Sequence, residues 1–191
     1  VKQTDNELIS QILEGNTGLF SELVKRHERF VFTLALRFTK RREDAEEVAQ
    51  DCFVKAYKAL GTYQGSSKFS TWMYTIAYTT SMTFLRKKRM DTVSIHDEES
   101  GVQIENHIGD YHADLVERKS SHFYLQQAIE MLLPDDAAII TMFYKGEQSL
   151  EEIAGVMNME SNTIKVKLHR ARQRLKEKLQ FLLKDEVHDL I

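Results

Sequence analysis

Two parts of this chain combine residue types that suit contact with nucleic acid. The first part interleaves aromatic side chains with Lys68 and hydroxyl groups, and it ends in Arg86-Lys87-Lys88-Arg89. Its aromatic members are Tyr63, Phe69, Trp72, Tyr74, Tyr78 and Phe84. Aromatic rings can stack on unpaired bases while cations follow the phosphate backbone, so this combination predicts a surface that handles single-stranded nucleic acid. The competing interpretation assigns most of these rings to a hydrophobic core, although Tyr74 and Tyr78 lie off the predicted core face.

The second part is a four-feature pattern in the C-terminal third of the chain. Ser149 and Glu152 have the spacing of a capping box at the start of a helix. Ala154 is small where a second helix must cross closely, and Asn158 tolerates the left-handed backbone of a tight turn. Ile164 is spaced to fill the angle between the two helices. The pattern is typical of a helix-turn-helix, whose second helix enters the major groove of DNA.

Helical spacing divides the second helix of this motif into faces. The residues that should pack inward are Ile164, Leu168, Ala171 and Leu175. The predicted DNA-binding residues are Asn162, Thr163, Lys165, Val166, Lys167, His169, Arg170, Arg172 and Arg174. Within that set, Asn162, Lys165, Val166 and His169 should reach base edges, whereas Lys167, Arg170, Arg172 and Arg174 should contact phosphates. The alternative is a packed helical hairpin with a solvated basic face.

The charge pattern supports two separate nucleic-acid contacts. The chain has 191 residues and a formal net charge of −3. Residues 61–90 carry a net charge of +5 and residues 161–180 carry +6, whereas residues 91–118 between them carry −7. Clustered positive charge is the electrostatic footprint of nucleic-acid binding. A solvated surface gives the same signature, so the charge alone does not decide the function.

Helical periodicity predicts an all-α fold. One Pro and eight Gly are too few for the turns of a β-sandwich or barrel. Asp5 should cap a first helix, and the third helix should bury a stripe of Ala45, Val48, Ala49, Cys52, Phe53, Ala56, Tyr57 and Leu60. On the fourth helix the predicted core face is Phe69, Trp72, Met73, Ile76, Ala77 and Thr80. The prediction is two small helical domains, 1–90 and 119–191, joined by an acidic flexible linker at 91–118, with a helix-turn-helix in the second domain.

Several other classes of protein are disfavoured. The uncharged run from Phe69 to Leu85 approaches the length of a membrane span, but seven of its 17 residues are Ser or Thr. The first thirty residues carry charges throughout, unlike a targeting segment, and one Cys gives no disulfide framework. His96, His107 and His112 lie among carboxylates, but their spacing matches no compact metal-ligand pattern. We therefore expect no membrane insertion, no metal and no cofactor.

Over nearly its whole length, the sequence resembles the extracytoplasmic-function (ECF) group of bacterial sigma factors. Four segments carry the resemblance, in order and at matching separations. They are DAEEVAQDCF at 44–53 with the following Ala56-Tyr57, KFSTWMYTIA at 68–77, Leu133-Pro134, and TIKVKLHRAR at 163–172. Each segment alone is moderately specific, and together they make a strong match.

The resemblance implies a role for each surface. The third helix would dock on the clamp of core RNA polymerase, with Asp44, Glu46, Glu47, Gln50 and Val54 as candidates. The fourth helix and the loop before it would bind and melt the minus-ten element, with Tyr63, Lys68, Trp72, Tyr74, Tyr78, Thr79, Arg86 and Lys87 as candidates. The helix-turn-helix would read the minus-thirty-five element. The implied partners are core RNA polymerase (clamp and flap), promoter DNA and an anti-sigma factor, in the cytoplasm.

Some positions depart from the family pattern, and two alternatives remain open. Thr75, Tyr78 and Thr79 stand where family members commonly carry Arg, Arg and Asn, and Val166 stands where Ser or Thr is usual. The promoter sequence therefore does not follow from the resemblance.

A stand-alone helix-turn-helix regulator would bind duplex DNA as a dimer without polymerase. An enzyme is third, since the chain has no Gly-rich phosphate motif and no nucleophile–base constellation.

Overall fold

The computed structural model describes residues 3–95 and 121–188, and helix is the only regular secondary structure in these two ranges. The α-helices are α1 (Asp5–Leu13), α2 (Phe20–Thr39), α3 (Arg42–Ala59), α4 (Phe69–Ile95), α5 (Ser121–Glu130), α6 (Pro134–Ile140), α7 (Leu150–Met157) and α8 (Ser161–His188). Short 3₁₀ turns precede α2 and follow α3, and a π-helical turn at Thr141–Lys145 follows α6. The predicted all-α fold is confirmed.

The chain divides into two compact units. The N-terminal unit contains α1–α4, and the C-terminal unit contains α5, α6, α8 and the first part of α7. Helix α4 continues to Ile95, so the first five residues of the segment predicted as a linker are helical. The rest of the predicted linker, residues 96–118 with their three histidines, lies outside the described residues.

The N-terminal unit is built on α2, α3 and α4, each of which packs against the other two. Leu23, Val31 and Leu34 of α2 are fully buried. Most of the predicted stripe on α3 is also buried, and its alanines allow the neighbouring helices to approach closely. Phe53 is only half-buried, and 44% of Tyr57 remains exposed while its ring contacts that of Phe20.

The face that α4 buries differs from the predicted one. Tyr74 was predicted off the core, yet it is only 5% exposed and its ring stacks on Phe30 with centroids 4.0 Å apart. Trp72 and Ile76 were predicted in the core and are half-buried. The reason is that α4 packs against both α2 and α3, which buries a wider arc of the helix than one apolar stripe indicates.

Helix α1 begins one residue earlier than predicted. Thr4, not Asp5, is its N-cap: the Glu7 backbone N–H donates to Thr4 Oγ1 at 3.3 Å, and the Thr4 N–H donates to Glu7 Oε2 at 2.7 Å. This reciprocal pair is a capping box, and it holds the pKa of Glu7 below its usual value. The carboxylate of Asp5 is thereby left to bond with Arg26 and His27 of α2.

The C-terminal unit packs α5 and α6 against α8. Its core includes Ala128, Ala137, Ile139, Ile164 and Leu168, all of them buried. Pro134 occupies the first turn of α6, where its missing N–H would have no intrahelical partner. Within the described residues, every helix is too short or too polar to span a membrane.

The buried thiol of Cys52 makes folding stability depend on pH. Burial raises its pKa from 9.0 to about 11, while a hydrogen bond with Thr80 opposes the shift. The unfolded thiol therefore ionises first, so its contribution is complete below about pH 9 and is lost as the pH rises towards 11. We expect the free energy of unfolding of the native chain to fall more steeply over this window than that of Cys52→Ser, as measured by urea titration. Equal slopes would contradict the assignment.

Candidate nucleic-acid interface

The start of α7 has the predicted capping box. The Ser149 N–H donates to Glu152 Oε2 at 2.9 Å, and the Glu152 N–H donates to Ser149 Oγ at 3.1 Å. The two bonds satisfy orphan backbone donors at the start of the helix. They fix the first residue of the helix-turn-helix.

The turn between α7 and α8 also follows the predicted pattern. Asn158 has a left-handed backbone with φ of 52°, and the Met159 N–H donates to the Ala154 carbonyl at 2.9 Å. Ala154 is 6% exposed, and Ile164 is completely buried beyond the turn. The Ser161 hydroxyl donates to Glu151 Oε1 at 3.3 Å and joins the two helices. The segment from α7 to α8 therefore has the geometry that a helix-turn-helix requires.

The first turns of α8 present a polar outer surface, which we call the recognition face. Its members are Asn162, Lys165, Val166 and His169, and all four are exposed. Thr163 beside them is also exposed, whereas Ile164, Leu168 and Ala171 are buried on the opposite side. This division between buried and exposed residues is the one that helical spacing predicted.

The cations of α8 differ in how strongly the domain itself engages them. Arg174 bonds to the buried carboxylate of Asp136, and Lys167 Nζ lies 3.6 Å from Asp135 Oδ2. Arg172 lies over the rings of Phe143 and Tyr144 at 5.2 and 5.4 Å from their centroids. Lys165 and Arg170 are exposed and form no ion pair within the described residues. These last two cations are accessible to an incoming phosphate without breaking an ion pair in the described part of the chain.

In the N-terminal unit, Tyr63, Phe69 and Trp72 form a cluster that we call the aromatic trio. Their ring centroids lie 5.5 to 5.6 Å apart in all three pairs. Phe69 is buried, whereas Tyr63 and Trp72 are half-buried. The trio borders the loop at 63–68, which precedes α4.

The other residues predicted to bind the minus-ten element lie just before α4 or along it, and all but one have an accessible side chain. Lys68, Thr79, Arg86 and Lys87 are exposed. Tyr78 is half-buried, and the centroids of its ring and that of Phe38 are 5.6 Å apart. Tyr74 is the exception, because its buried ring stacks inside the unit, and burial raises its pKa to about 12. Its expected role as an accessible stacking ring is therefore corrected.

The residues predicted to dock on polymerase lie along α3. Glu46, Glu47, Gln50 and Val54 are exposed, and Glu46 forms an ion pair with Arg42 at 2.9 Å. Asp44 instead lies half-buried and pairs with Lys88 of α4 at 2.6 Å. The structure thus separates Asp44, which braces two helices, from the four exposed candidates.

Sequence reasoning missed two groups of residues. Asp135 and Asp136 restrain the cations of α8, although an acidic first turn of α6 could have suggested contacts with a basic helix. Asn6 contacts Tyr63 across 57 residues, and no local spacing signals that contact.

Comparison with known proteins identifies the family. The model of Sigma-70 region 2 matches residues 23–90, and that of Sigma-70 region 4 matches residues 122–175. The RNA polymerase sigma-H factor of Pseudomonas aeruginosa is 30% identical, over 96% of this chain and 98% of its own length. The ECF RNA polymerase sigma-E factor of Haemophilus influenzae is 29% identical, over 94% of this chain and 97% of its own length.

The chain belongs to the ECF sigma factors. As a sigma factor, it directs core RNA polymerase to promoters and initiates transcription. Such proteins are transcription initiation factors rather than enzymes. The stand-alone regulator is wrong as an alternative, because it leaves the match of residues 23–90 unexplained.

Solved structures support the fold of this sigma factor. CnrH in complex with the cytosolic domain of CnrY has a TM-score of 0.64 at 20% identity and covers 93% of this chain and 98% of its own. RpoE of Bartonella quintana, in complex with the anti-sigma factor NepR, has a TM-score of 0.63 at 23% identity, over 84% and 96% of the two chains.

Two substitutions three residues apart test the turn of the helix-turn-helix. Asn158→Ala should lower the free energy of unfolding by about 1 kcal/mol, because alanine is strained in the left-handed conformation. Gly155→Ala should raise it by about as much, since Gly155 is helical and a Cβ there meets nothing within 4 Å. Chemical denaturation measures both. Changes of the same sign would contradict the assigned backbone geometry.

Proposed function

We propose that the two units of this sigma factor divide promoter recognition between them. The C-terminal unit reads the duplex minus-thirty-five element, and the N-terminal unit binds and melts the minus-ten element. The observation that carries the first part is the exposed recognition face, which immediately follows the left-handed turn at Asn158. In helix-turn-helix proteins, residues at the N-terminal end of the second helix contact base edges.

Lys165, Val166 and His169 are our candidates for base contact. A lysine can donate to the acceptors of guanine in the major groove, and the apolar surface of Val166 suits a thymine methyl group. Val166 is 49% exposed, so its methyl groups are accessible to such a contact. Arg170 supplies phosphate contacts, together with Lys167, Arg172 and Arg174 of the same helix.

The aromatic trio supports the role of the N-terminal unit. Trp72 is half-buried, so part of its ring is available while the rest packs on its neighbours. Stacking of a base on an aromatic ring helps only after the strands separate, which favours the melted state of the promoter. Lys68 directly precedes α4, and Arg86 and Lys87 lie on it. All three are exposed and add attraction for the phosphate backbone of the separated strand.

Two surfaces suit core RNA polymerase. Glu46, Glu47, Gln50 and Val54 on α3 are the proposed contacts with the clamp. In the C-terminal unit, a groove of about 540 Å³ lies between α5 and α8 and is our proposed site for the flap. Its lining is mainly apolar and includes Leu125, Ile129, Leu175, Leu179 and Leu183, together with the cations Arg172 and Lys176.

Regulation by an anti-sigma factor is part of the proposal. RpoE of Bartonella quintana was solved in such a complex, and a partner that covers both the groove and the docking face of α3 would block holoenzyme assembly. The chain would act in the cytoplasm, where core polymerase meets the chromosome, in response to stress or an envelope signal. It would have no catalytic activity of its own.

The roles of the α8 cations can be separated by their dependence on salt. Arg170→Ala should flatten the slope of log affinity against log salt by about 0.9, because one phosphate contact and its released counterion are lost. Arg174→Ala is the matched control and should flatten it less, since Asp136 already engages that guanidinium. Binding of holoenzyme to an upstream promoter duplex between about 50 and 200 mM salt measures both slopes.

Lys165→Ala should instead change specificity. It should cost about 1–3 kcal/mol on the preferred upstream element and far less on a scrambled duplex. Equal losses on the two duplexes would show that Lys165 makes only phosphate contacts, and the proposed recognition face would then be wrong.

A further inference from the structure

Tyr63 contacts its neighbours through its hydroxyl as well as through its ring. Its ring packs edge-on against Phe69 at 84° and is tilted against Trp72 at 53°. Its hydroxyl lies 2.7 Å from the Ser67 carbonyl and 3.2 Å from Oδ1 of Asn6. Tyr63 therefore uses both its ring and its hydroxyl for contacts within the unit, although its side chain is half-buried like that of Trp72.

The hydroxyl of Tyr63 connects two separate segments. One phenol carries one proton, so the carbonyl of Ser67 and the amide oxygen of Asn6 share it in a three-centre bond. Burial, and to a smaller extent the charge of Asp5, raises the pKa of Tyr63. The bond to Ser67 closes the loop that precedes α4, and the bond to Asn6 ties that loop to α1.

A second route also links α1 to the trio. Asp5 Oδ2 lies 2.8 Å from His27 Nε2, and the ring of His27 lies 5.3 Å from that of Phe69. Arg26 Nη1 donates to Asp5 Oδ1 at 2.9 Å and to the Gln3 carbonyl at 2.7 Å. Together with the capping box at Thr4, these bonds fix the start of α1 on α2.

We propose that Tyr63 is a positioning residue, held by Asn6 of α1, that sets the orientation in which Trp72 receives an unpaired base. The proposal rests on the role proposed above for the aromatic trio. It assigns α1, which contributes none of the predicted DNA-binding residues, a part in promoter opening. It also changes the role of Tyr63: its ring does not stack on a base but holds the ring of Trp72, which does.

The test measures the opening rate of a promoter that carries 2-aminopurine in the minus-ten region, using holoenzyme assembled from the full chain and core polymerase. Asn6→Ala and Tyr63→Phe each remove the bond between α1 and the loop. We expect each to slow opening about 2- to 12-fold, which is the effect of losing one neutral hydrogen bond. Ser10→Ala is the matched control on α1: Ser10 is exposed, and within the described residues its hydroxyl bonds only to the backbone carbonyl of Asn6 in its own helix.

Double variants distinguish positioning from a general loss of structure. The Asn6→Ala/Tyr63→Phe pair should open the promoter as slowly as Tyr63→Phe alone, because both substitutions remove the same bond. In a Trp72→Ala background, Asn6→Ala should have no further effect, because the ring that it orients is absent. Thermal unfolding of each variant reports any unrelated loss of stability.

Three results would overturn the proposal. The first is an opening rate of Asn6→Ala equal to that of Ser10→Ala. The second is effects of Asn6→Ala and Tyr63→Phe that multiply in the double variant, or an undiminished effect of Asn6→Ala in the Trp72→Ala background. The third is normal opening by Trp72→Ala itself. That result would also contradict the proposed function of the trio, whereas the first two results contradict only the positioning role of Tyr63.

Discussion

In a chain with a net charge of −3, the cations that meet DNA must stay free of the carboxylates that outnumber them. The structure sorts them by pairing. Asp136 is 5% exposed and bonds to Arg174, so that pair belongs to the fold of the C-terminal unit. Lys167 and Asp135 are each about one-third exposed, and a pair of this kind is worth only about 0–1 kcal/mol, so phosphate can displace the carboxylate. Lys165 and Arg170 are exposed with no ion pair in the described part of the chain, so their positive charge is available to DNA phosphates.

The helix-turn-helix could be predicted because its determinants are local. A capping box spans four residues, a left-handed turn needs one residue that tolerates it, and the faces of α8 follow from the helical period. Ser149, Asn158 and Ile164 accordingly have the predicted conformation or burial. The polar pairs of α8 with Asp135 and Asp136 were not predicted, because they depend on how α6 crosses α8.

The aromatic surface of the N-terminal unit was harder to predict, because tertiary packing decides which rings are accessible. Helix α4 touches two helices, so the period of its apolar residues does not mark a single buried face. Tyr74 is consequently buried against Phe30, while Trp72 keeps an accessible side. The contacts of Asp5 and Asn6 with His27 and Tyr63 join residues 22 and 57 positions apart, and only the folded unit shows them.

Transcription by holoenzyme carrying Trp72→Ala, compared with Trp72→Phe, tests the account most directly. The two promoters to compare are an intact one and one already mismatched across the minus-ten region. Loss of the stacking ring should cost Trp72→Ala about 1–3 kcal/mol, or about 5- to 150-fold, on the intact promoter, while Trp72→Phe retains most activity. On the mismatched promoter the defect of Trp72→Ala should shrink, because strand separation no longer has to be driven. A defect of equal size on both promoters would contradict the claim that the N-terminal unit opens DNA by stacking on an unpaired base.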